Sequence, residues 1–205
     1  MAGVLCASVA AQQLPAPKPV SVGIVVDTSG SMGAKLRDAR QFLAEFLKAA
    51  NPQDDFFLIQ SNDRPALTSA FTADTDKIQN DLVFTKSKGR SALWDAVYLA
   101  LTEVQKGRNP LKALLVISDG GDNSSRYTEN EIENLARQVG VRIYAIGIYA
   151  PEAARGRTVE ELQGPARLHQ IAEQSGGGHF AVESIQELPE VVAKVDAGMR
   201  APLKP

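Results

Sequence analysis

From Val20 onward, the hydrophobic positions follow two alternating patterns. Runs of consecutive apolar residues predict strands that are buried on both faces, and apolar residues spaced three or four apart predict amphipathic helices. The predicted strands are 20–26, 55–60, 66–71, 112–118, 142–148 and 179–182. The predicted helices are 35–50, 74–83, 91–105, 128–139, 165–174 and a last one that opens with a capping box at 184–187 and ends near residue 200.

This succession predicts an α/β domain with a doubly wound, mostly parallel sheet and helices on both faces. Right-handed crossovers leave few strand orders for such a sheet. The link at 61–65 is too short for a crossover, so the third strand is expected to be an antiparallel edge strand. The charged segment 150–164 is expected to form a loop.

The 205 residues suit one domain, expected at 20–200, between an N-terminal segment 1–19 and a short tail 201–205. Residues 7–13 resemble the end of a secretory signal, although a basic region before it is missing. A start codon placed too far downstream would explain that, and an ordinary disordered tail is the alternative. The first interpretation predicts an exported protein, periplasmic or extracellular, and the second is compatible with the cytoplasm. The apolar run is too short to span a membrane.

Composition excludes several classes of function. The net charge of -2 argues against a nucleic-acid binder. The single cysteine, Cys6, excludes an internal disulfide and a zinc site built on thiolates. The two histidines, His169 and His179, limit histidine-based metal sites and Ser-His chemistry. The sequence also lacks the glycine-rich phosphate loops and the G-x-S-x-G elbow. These observations favour a binding module over an enzyme.

Acidic and hydroxyl side chains follow two of the predicted strands. Asp27, Ser29 and Ser31 come after the first strand at a spacing of two, which points their oxygens to one side of an extended chain. Asp119 follows the strand 112–118. In an order of 3-2-1-4-5-6 these two strands are neighbours at the point where strand order reverses, and functional sites lie there. Such oxygen ligands suit Mg²⁺, Mn²⁺ or Ca²⁺.

Each of these residues also has an ordinary structural interpretation. Asp27 could cap a helix, and Asp119 could be a turn acid before Gly120. The agreement between the two acidic loops and the topology favours the metal site. Other polar or aromatic residues nearby are expected to have structural roles: Asp95 as a solvated or helix-local acid, Trp94 in packing, and Asp122 and Asn123 as loop residues, with support of metal ligands as their minority interpretation.

Three segments, in order, resemble the von Willebrand factor type A (VWA) domain family. Residues 27–32 (DTSGSM) match the D-x-S-x-S motif of its metal-ion-dependent adhesion site, and residues 114–120 (LLVISDG) are similar to its second acidic motif. Residues 89–96 (GRSALWDA) resemble the segment that carries a metal-binding threonine. Ser91 stands in that place, with the hydroxyl but without the methyl group. The sequence around Ser91 is compatible with two roles for this residue, a metal ligand and a helix N-cap. The residues of these motifs resemble most those of bacterial VWA-related proteins, many of which are exported.

The resemblance implies the 3-2-1-4-5-6 sheet and metal-dependent binding of an acidic group from a partner. The charge count agrees, because a self-sufficient calcium cage would normally bring more carboxylates than the two present here, whose other companions are up to three neutral hydroxyls. We therefore expect Mg²⁺ to be held by Asp27, Ser29, Ser31, Ser91 and Asp119, and to bind an Asp or Glu carboxylate of a protein partner. A metal-assisted hydrolase that uses the same site is the alternative. Arginines in the surrounding loops are expected to steer the acidic partner: Arg64, Arg90, Arg126, Arg155 and Arg157.

Overall fold

Six strands form one sheet in the computed structural model, which describes residues 17–149 and 158–202. They are β1 (Val20–Asp27), β2 (Asp55–Ser61), β3 (Ala66–Thr72), β4 (Leu111–Ser118), β5 (Arg142–Ile148) and β6 (Gly178–Val182). Their order is β3-β2-β1-β4-β5-β6, with every pair parallel except β2 and β3. The predicted fold class, strand order and antiparallel edge are confirmed.

Six helices cover the two faces of this sheet. They are α1 (Lys35–Lys48), α2 (Thr75–Val83), α3 (Leu93–Glu103), α4 (Glu129–Val139), α5 (Val159–Gln174) and α6 (Leu188–Arg200). The apolar residues of α1, α2 and α6 form one buried cluster with the sheet, and those of α3, α4 and α5 form the other. The central strands contribute to both clusters, which explains their nearly continuous apolar runs. The two cores hold the C-terminal ends of β1 and β4 in fixed positions.

The start of α5 corrects the sequence-based prediction. Helix α5 begins at Val159, six residues before the predicted start, so residues 159–164 are helical and not loop, while residues 150–157 lie outside the described residues. Thr158 and Glu161 form a capping box that opens the helix, and Pro165 lies inside it. Proline usually breaks a helix because it has no N–H to donate. Here the capping box and the packing of the preceding turn outweigh the loss of one hydrogen bond.

The C-terminal helix also begins differently from the prediction. The Ser184 side chain accepts a hydrogen bond from Gln186 N, within a single 3-10 turn at Ile185–Glu187. Helix α6 starts after this turn, with Pro189 in its first turn, where proline is well tolerated. The Ser-x-x-Glu spacing at 184–187 therefore forms a short turn here. The signal-like residues 7–13 lie outside the described residues.

Candidate metal centre

Two carboxylates meet where β1 and β4 end. Asp27 is the last residue of β1, and Asp119 directly follows β4, its neighbour in the sheet. Both are buried, with 0% and 2% of their surface exposed. Ser118 Oγ, at the end of β4, donates a hydrogen bond of 2.7 Å to Asp27 Oδ2. The parallel pairing of β1 and β4 thus brings together the two acidic loops that the topology predicted would face each other.

Hydrogen bonds fix the Asp27 carboxylate in one orientation. Its Oδ1 accepts from Ser29 N at 2.9 Å, and its Oδ2 is held by Ser118. Burial, and then the negative charge of Asp119, raise the pKa of Asp27 to about 6. The hydrogen bonds from Ser29 and Ser118 act in the opposite direction but do not cancel the shift. A buried pair of carboxylates of this kind favours a cation beside it.

The two serines of the β1–α1 loop (28–34) lie beside these carboxylates. Ser29 Oγ and Ser31 Oγ are 3.1 Å apart, so the spacing of two residues does place both hydroxyls together. A methyl carbon placed on Gly121 would lie 3.1 Å from Asp119 Oδ1 and 4.0 Å from Ser31 Oγ. These two oxygens therefore border the same small space beside Gly121.

Ser91 carries a buried hydroxyl without a hydrogen-bond partner. In the part of the chain that the structure describes, only Ser61 and Ser91 have such a side-chain oxygen. Ser91 is not the cap of α3, because the N-cap residue is Ala92 and no side chain at that position caps the helix. A buried hydroxyl is costly unless something binds it, and an ion is one explanation. This observation fits a site in which Ser91 is a metal ligand.

The β4–α4 loop (119–128) holds the segment that carries Ser91. Asn123 Oδ1 accepts from Ser91 N at 3.1 Å, and Asn123 N donates to Ser91 O at 3.1 Å. Asp122 Oδ1 accepts from Leu93 N at 2.8 Å. Because the first amides of a helix lack partners within it, this carboxylate caps α3 from another loop. Burial raises the pKa of Asp122. Asp122 and Asn123 thus hold the segment 91–93 in place, and their support of a metal ligand stays a prediction.

Asp95 was expected to be a solvated or helix-local acid, and that prediction is wrong. It is 9% exposed and accepts hydrogen bonds from Arg126 N at 2.8 Å, Tyr127 N at 3.2 Å and Arg126 Nε at 2.9 Å. Burial acts to raise the pKa of Asp95, yet these hydrogen bonds hold it below its usual range. Asp95 therefore fastens the far end of the β4–α4 loop to α3. Trp94 is buried in the core, as predicted.

Three further residues shape the site and were not identified from the sequence. Ser118 orients Asp27, and Lys35 Nζ lies 2.5 Å from Asp119 Oδ2. Gly164 of α5 lies against the backbone of Asp119 and Gly120 so closely that a methyl group there would overlap Asp119 O. The signal for Ser118 was its place at the end of β4, whereas the contacts of Lys35 and Gly164 depend on tertiary packing.

The donor set decides which kind of metal suits this place. In the described ranges, 17–149 and 158–202, no three side chains of His, Cys, Asp or Glu form a cluster that could hold a metal. A cation between Asp27 and Asp119 would therefore need hydroxyl ligands, which Ser29, Ser31 and Ser91 offer. Carboxylate and hydroxyl oxygens are hard ligands and fit Mg²⁺ or Mn²⁺ better than copper or thiolate-bound zinc.

Basic side chains lie in the loops around the ends of β1 and β4, where Asp27 and Asp119 are found. Arg64, Arg90 and Arg126 are exposed, and Arg126 is paired with Asp95. Arg155 and Arg157 lie outside the described residues. The α2–α3 loop (84–92) adds two exposed lysines, Lys86 and Lys88, which sequence reasoning missed. Hydrogen bonds from Gly30 N to Gly89 O and from Lys88 N to Thr28 O bind this loop to the β1–α1 loop.

A family profile and two curated proteins match this chain. The family profile of the von Willebrand factor type A domain matches residues 21–194. An uncharacterized protein of Borreliella burgdorferi is 24% identical over 180 residues, covering 78% of this chain and 52% of its own length. The von Willebrand factor A domain-containing protein 7 of Rattus norvegicus is 24% identical over 196 residues, covering 90% of this chain and 22% of its own. The chain thus spans about half of the first relative's length and less than a quarter of the second's.

A solved structure shares the fold. The aerotolerance-related membrane protein of Bacteroides fragilis superposes with a TM-score of 0.72 at 17% sequence identity, covering 88% of this chain and 98% of that one. At this identity the likeness establishes the fold alone.

Among the described helices of the present chain, none has the length and apolar character needed to cross a membrane.

Proposed function

Because this chain belongs to the von Willebrand factor type A domain family, we propose that it is a non-enzymatic module that binds a protein partner through a divalent cation. Domains of this family are mostly protein-interaction or adhesion modules. The observation that carries the metal-dependent part is the unpartnered, buried Ser91 hydroxyl beside the loop that follows Asp119. Without a ligand, that hydroxyl and the buried Asp27 carboxylate are both destabilising.

In this proposal Mg²⁺ is held by five side chains, with Mn²⁺ and Ca²⁺ as substitutes: Asp27, Ser29, Ser31, Ser91 and Asp119. The bound cation supplies Lewis acidity toward an oxygen of the partner. Only two of the five ligands carry charge, so the site with its cation would be formally neutral and would not repel an Asp or Glu carboxylate as a site with more acidic ligands would. Ser118, Asp122 and Asn123 orient the ligands and thereby lower the reorganisation that partner binding requires.

A pull-down tests this function. The immobilised domain should retain its partner in Mg²⁺ and release it in EDTA, and Asp27→Ala should fail to retain it in either buffer. Retention that ignores both EDTA and Asp27→Ala would refute the metal-dependent mode. The competing class is a metal-assisted hydrolase, and turnover of generic phosphate or ester substrates that disappears in Asp27→Ala would favour it.

Substitution of Ser91 tests its assignment as a ligand. Ser91→Ala should weaken Mg²⁺-supported partner binding by roughly tenfold, because losing one neutral ligand costs about as much as a strong hydrogen bond. Ser91→Thr should preserve binding, since it keeps the hydroxyl. Both variants retain the backbone hydrogen bonds to Asn123. Equal Kd values for all three proteins in calorimetric titration would remove Ser91 from the ligand set.

The basic residues at the rim should set the association rate. Arg90→Glu and Lys88→Glu should each slow association with an acidic partner several-fold and flatten its salt dependence, while metal affinity changes little. Lys48→Glu makes the same charge change at the opposite end of α1 and serves as the control. Arg90 also donates to Asn123 O, so Lys88 is the cleaner test. If surface plasmon resonance at two ionic strengths gives unchanged rates for Lys88→Glu, the partner does not use this charge.

We propose that the protein is exported to the periplasm or the extracellular space. Residues 7–13 resemble the end of a secretory signal, and the Bacteroides protein of the same fold is described as a membrane protein. When the protein is expressed from its own gene, the mature chain should begin near Ala11–Gln13 and fractionate outside the cytoplasm. A cytosolic protein that retains Met1 in N-terminal sequencing would refute export.

A further inference from the structure

Lys35 brings a positive charge into the candidate metal centre. It is the first residue of α1, and its side chain is only 14% exposed. Its Nζ lies 2.5 Å from Asp119 Oδ2 and 3.9 Å from Glu161 Oε1 on α5. The other oxygen of Asp119, Oδ1, accepts a hydrogen bond from Gly121 N at 3.0 Å. Lys35 is thus the charged partner of one of the two proposed acidic ligands.

The charges near the site show what this contact does. Asp27 and Asp119 together carry two negative charges, which a divalent cation would balance. The ammonium of Lys35 adds one positive charge beside Asp119, so the site with its cation would carry a net positive charge. Glu161 offsets part of this, but it is farther away, and its Oε2 accepts a hydrogen bond from Thr158 N. Because the pair is largely buried, water and salt screen it weakly.

We propose that Lys35 is an internal cation that lowers the affinity of the site for metal and raises the affinity of the metal-loaded site for a carboxylate. The inference rests on the proposed function and assigns a role to a residue outside the ligand set. Lys35 repels an incoming divalent cation and competes for Asp119 Oδ2. Once the metal is bound, the same charge attracts the anionic group of the partner. The two effects have opposite signs, which a merely structural role for Lys35 would not produce.

Metal affinity is the first measurement. In EDTA-stripped protein titrated with Mn²⁺ in a calorimeter, Lys35→Gln should bind Mn²⁺ tighter than the wild type, on the order of tenfold, because one nearby positive charge has been removed. Lys35→Met also removes the charge but keeps the apolar stem, and its Mn²⁺ affinity should rise by a similar factor. It replaces Lys35→Gln in the experiment if that variant folds poorly. Lys35→Arg should stay close to the wild type. Lys48→Gln removes an exposed lysine at the other end of α1 and is the matched control.

Carboxylate binding is the second measurement. With each protein saturated by Mn²⁺, displacement of metal-bound water by acetate is followed through water-proton relaxation. Lys35→Gln should need several-fold more acetate than the wild type or Lys35→Arg.

The outcomes distinguish the role of Lys35 from the existence of the metal site. Equal Mn²⁺ affinity in the wild type and Lys35→Gln would overturn the role of Lys35 while leaving the metal site in place. Tighter Mn²⁺ binding with unchanged acetate binding would overturn the carboxylate half of the proposal. Saturable Mn²⁺ binding in neither protein would overturn the metal site and this inference together.

Discussion

Asp119→Ala should abolish saturable binding of Mg²⁺ and Mn²⁺ in calorimetric titration. Changes to residues that merely support a metal ligand already reduce affinity by roughly 10–100-fold, so loss of a charged ligand should exceed that. The variant also leaves Lys35 without its carboxylate partner, which places an unbalanced positive charge beside the remaining ligands. Both effects act against a divalent cation.

The fold should survive this change. Asp119 lies in a loop after β4, and its side chain contributes nothing to the two apolar cores. Circular dichroism should therefore match the wild type. Asp76→Ala removes an exposed carboxylate in the first turn of α2 and is the control for loss of negative charge. If Asp119→Ala binds Mn²⁺ as tightly as Asp76→Ala does, Asp119 is not part of the site.

Gly164→Ala should lower both the free energy of unfolding and the metal affinity. A methyl group at Gly164 would overlap the carbonyl oxygen of Asp119, and one at Gly120 would overlap the Gly164 backbone. Neither partner is a flexible side chain, so helix α5 or the Asp119 loop must move. Overpacking of this kind costs about 1–3 kcal/mol, which outweighs the gain of roughly 1 kcal/mol from replacing glycine by alanine in a helix. Movement of Asp119 would also displace a proposed ligand.

The exposed neighbour Ala166 supplies the control. Ala166→Gly loses roughly 1 kcal/mol of helix propensity without touching the Asp119 loop, so its metal affinity should stay at the wild-type value. Urea unfolding and Mn²⁺ titration of both variants separate the two causes. A stable Gly164→Ala with normal metal affinity would show that α5 and the loop adapt freely.

Much of the fold was predictable because the patterns that determine it are local. A short buried run such as 142–148 indicates a central strand in a chain where strands and helices alternate. The short link at 61–65 indicated that β3 runs antiparallel to β2. The positions of Asp27 and Asp119 followed from topology, since parallel neighbours end at the same edge of a sheet. Three ordered motifs then indicated the family.

The remaining features depend on contacts between segments that are distant in the chain. Asp95 looked like an exposed helix acid, and its partners, Arg126 and Tyr127, lie about thirty residues away. Pro165 suggested a helix boundary, but its neighbour Gly164 is needed inside α5 for close packing on the Asp119 loop. Nothing in the sequence marks Lys35, and only the folded chain brings its ammonium to Asp119.

Anomalous diffraction from a crystal of the domain grown with Mn²⁺ tests the central claim most directly. The account predicts one strong peak within bonding distance of oxygens from the five proposed ligands, which is about 2.0–2.2 Å for small hard cations. Ser91 Oγ should be one of these bonded oxygens. A well-ordered crystal at saturating Mn²⁺ with no peak between Asp27 and Asp119, or with its only peak elsewhere, would contradict the account.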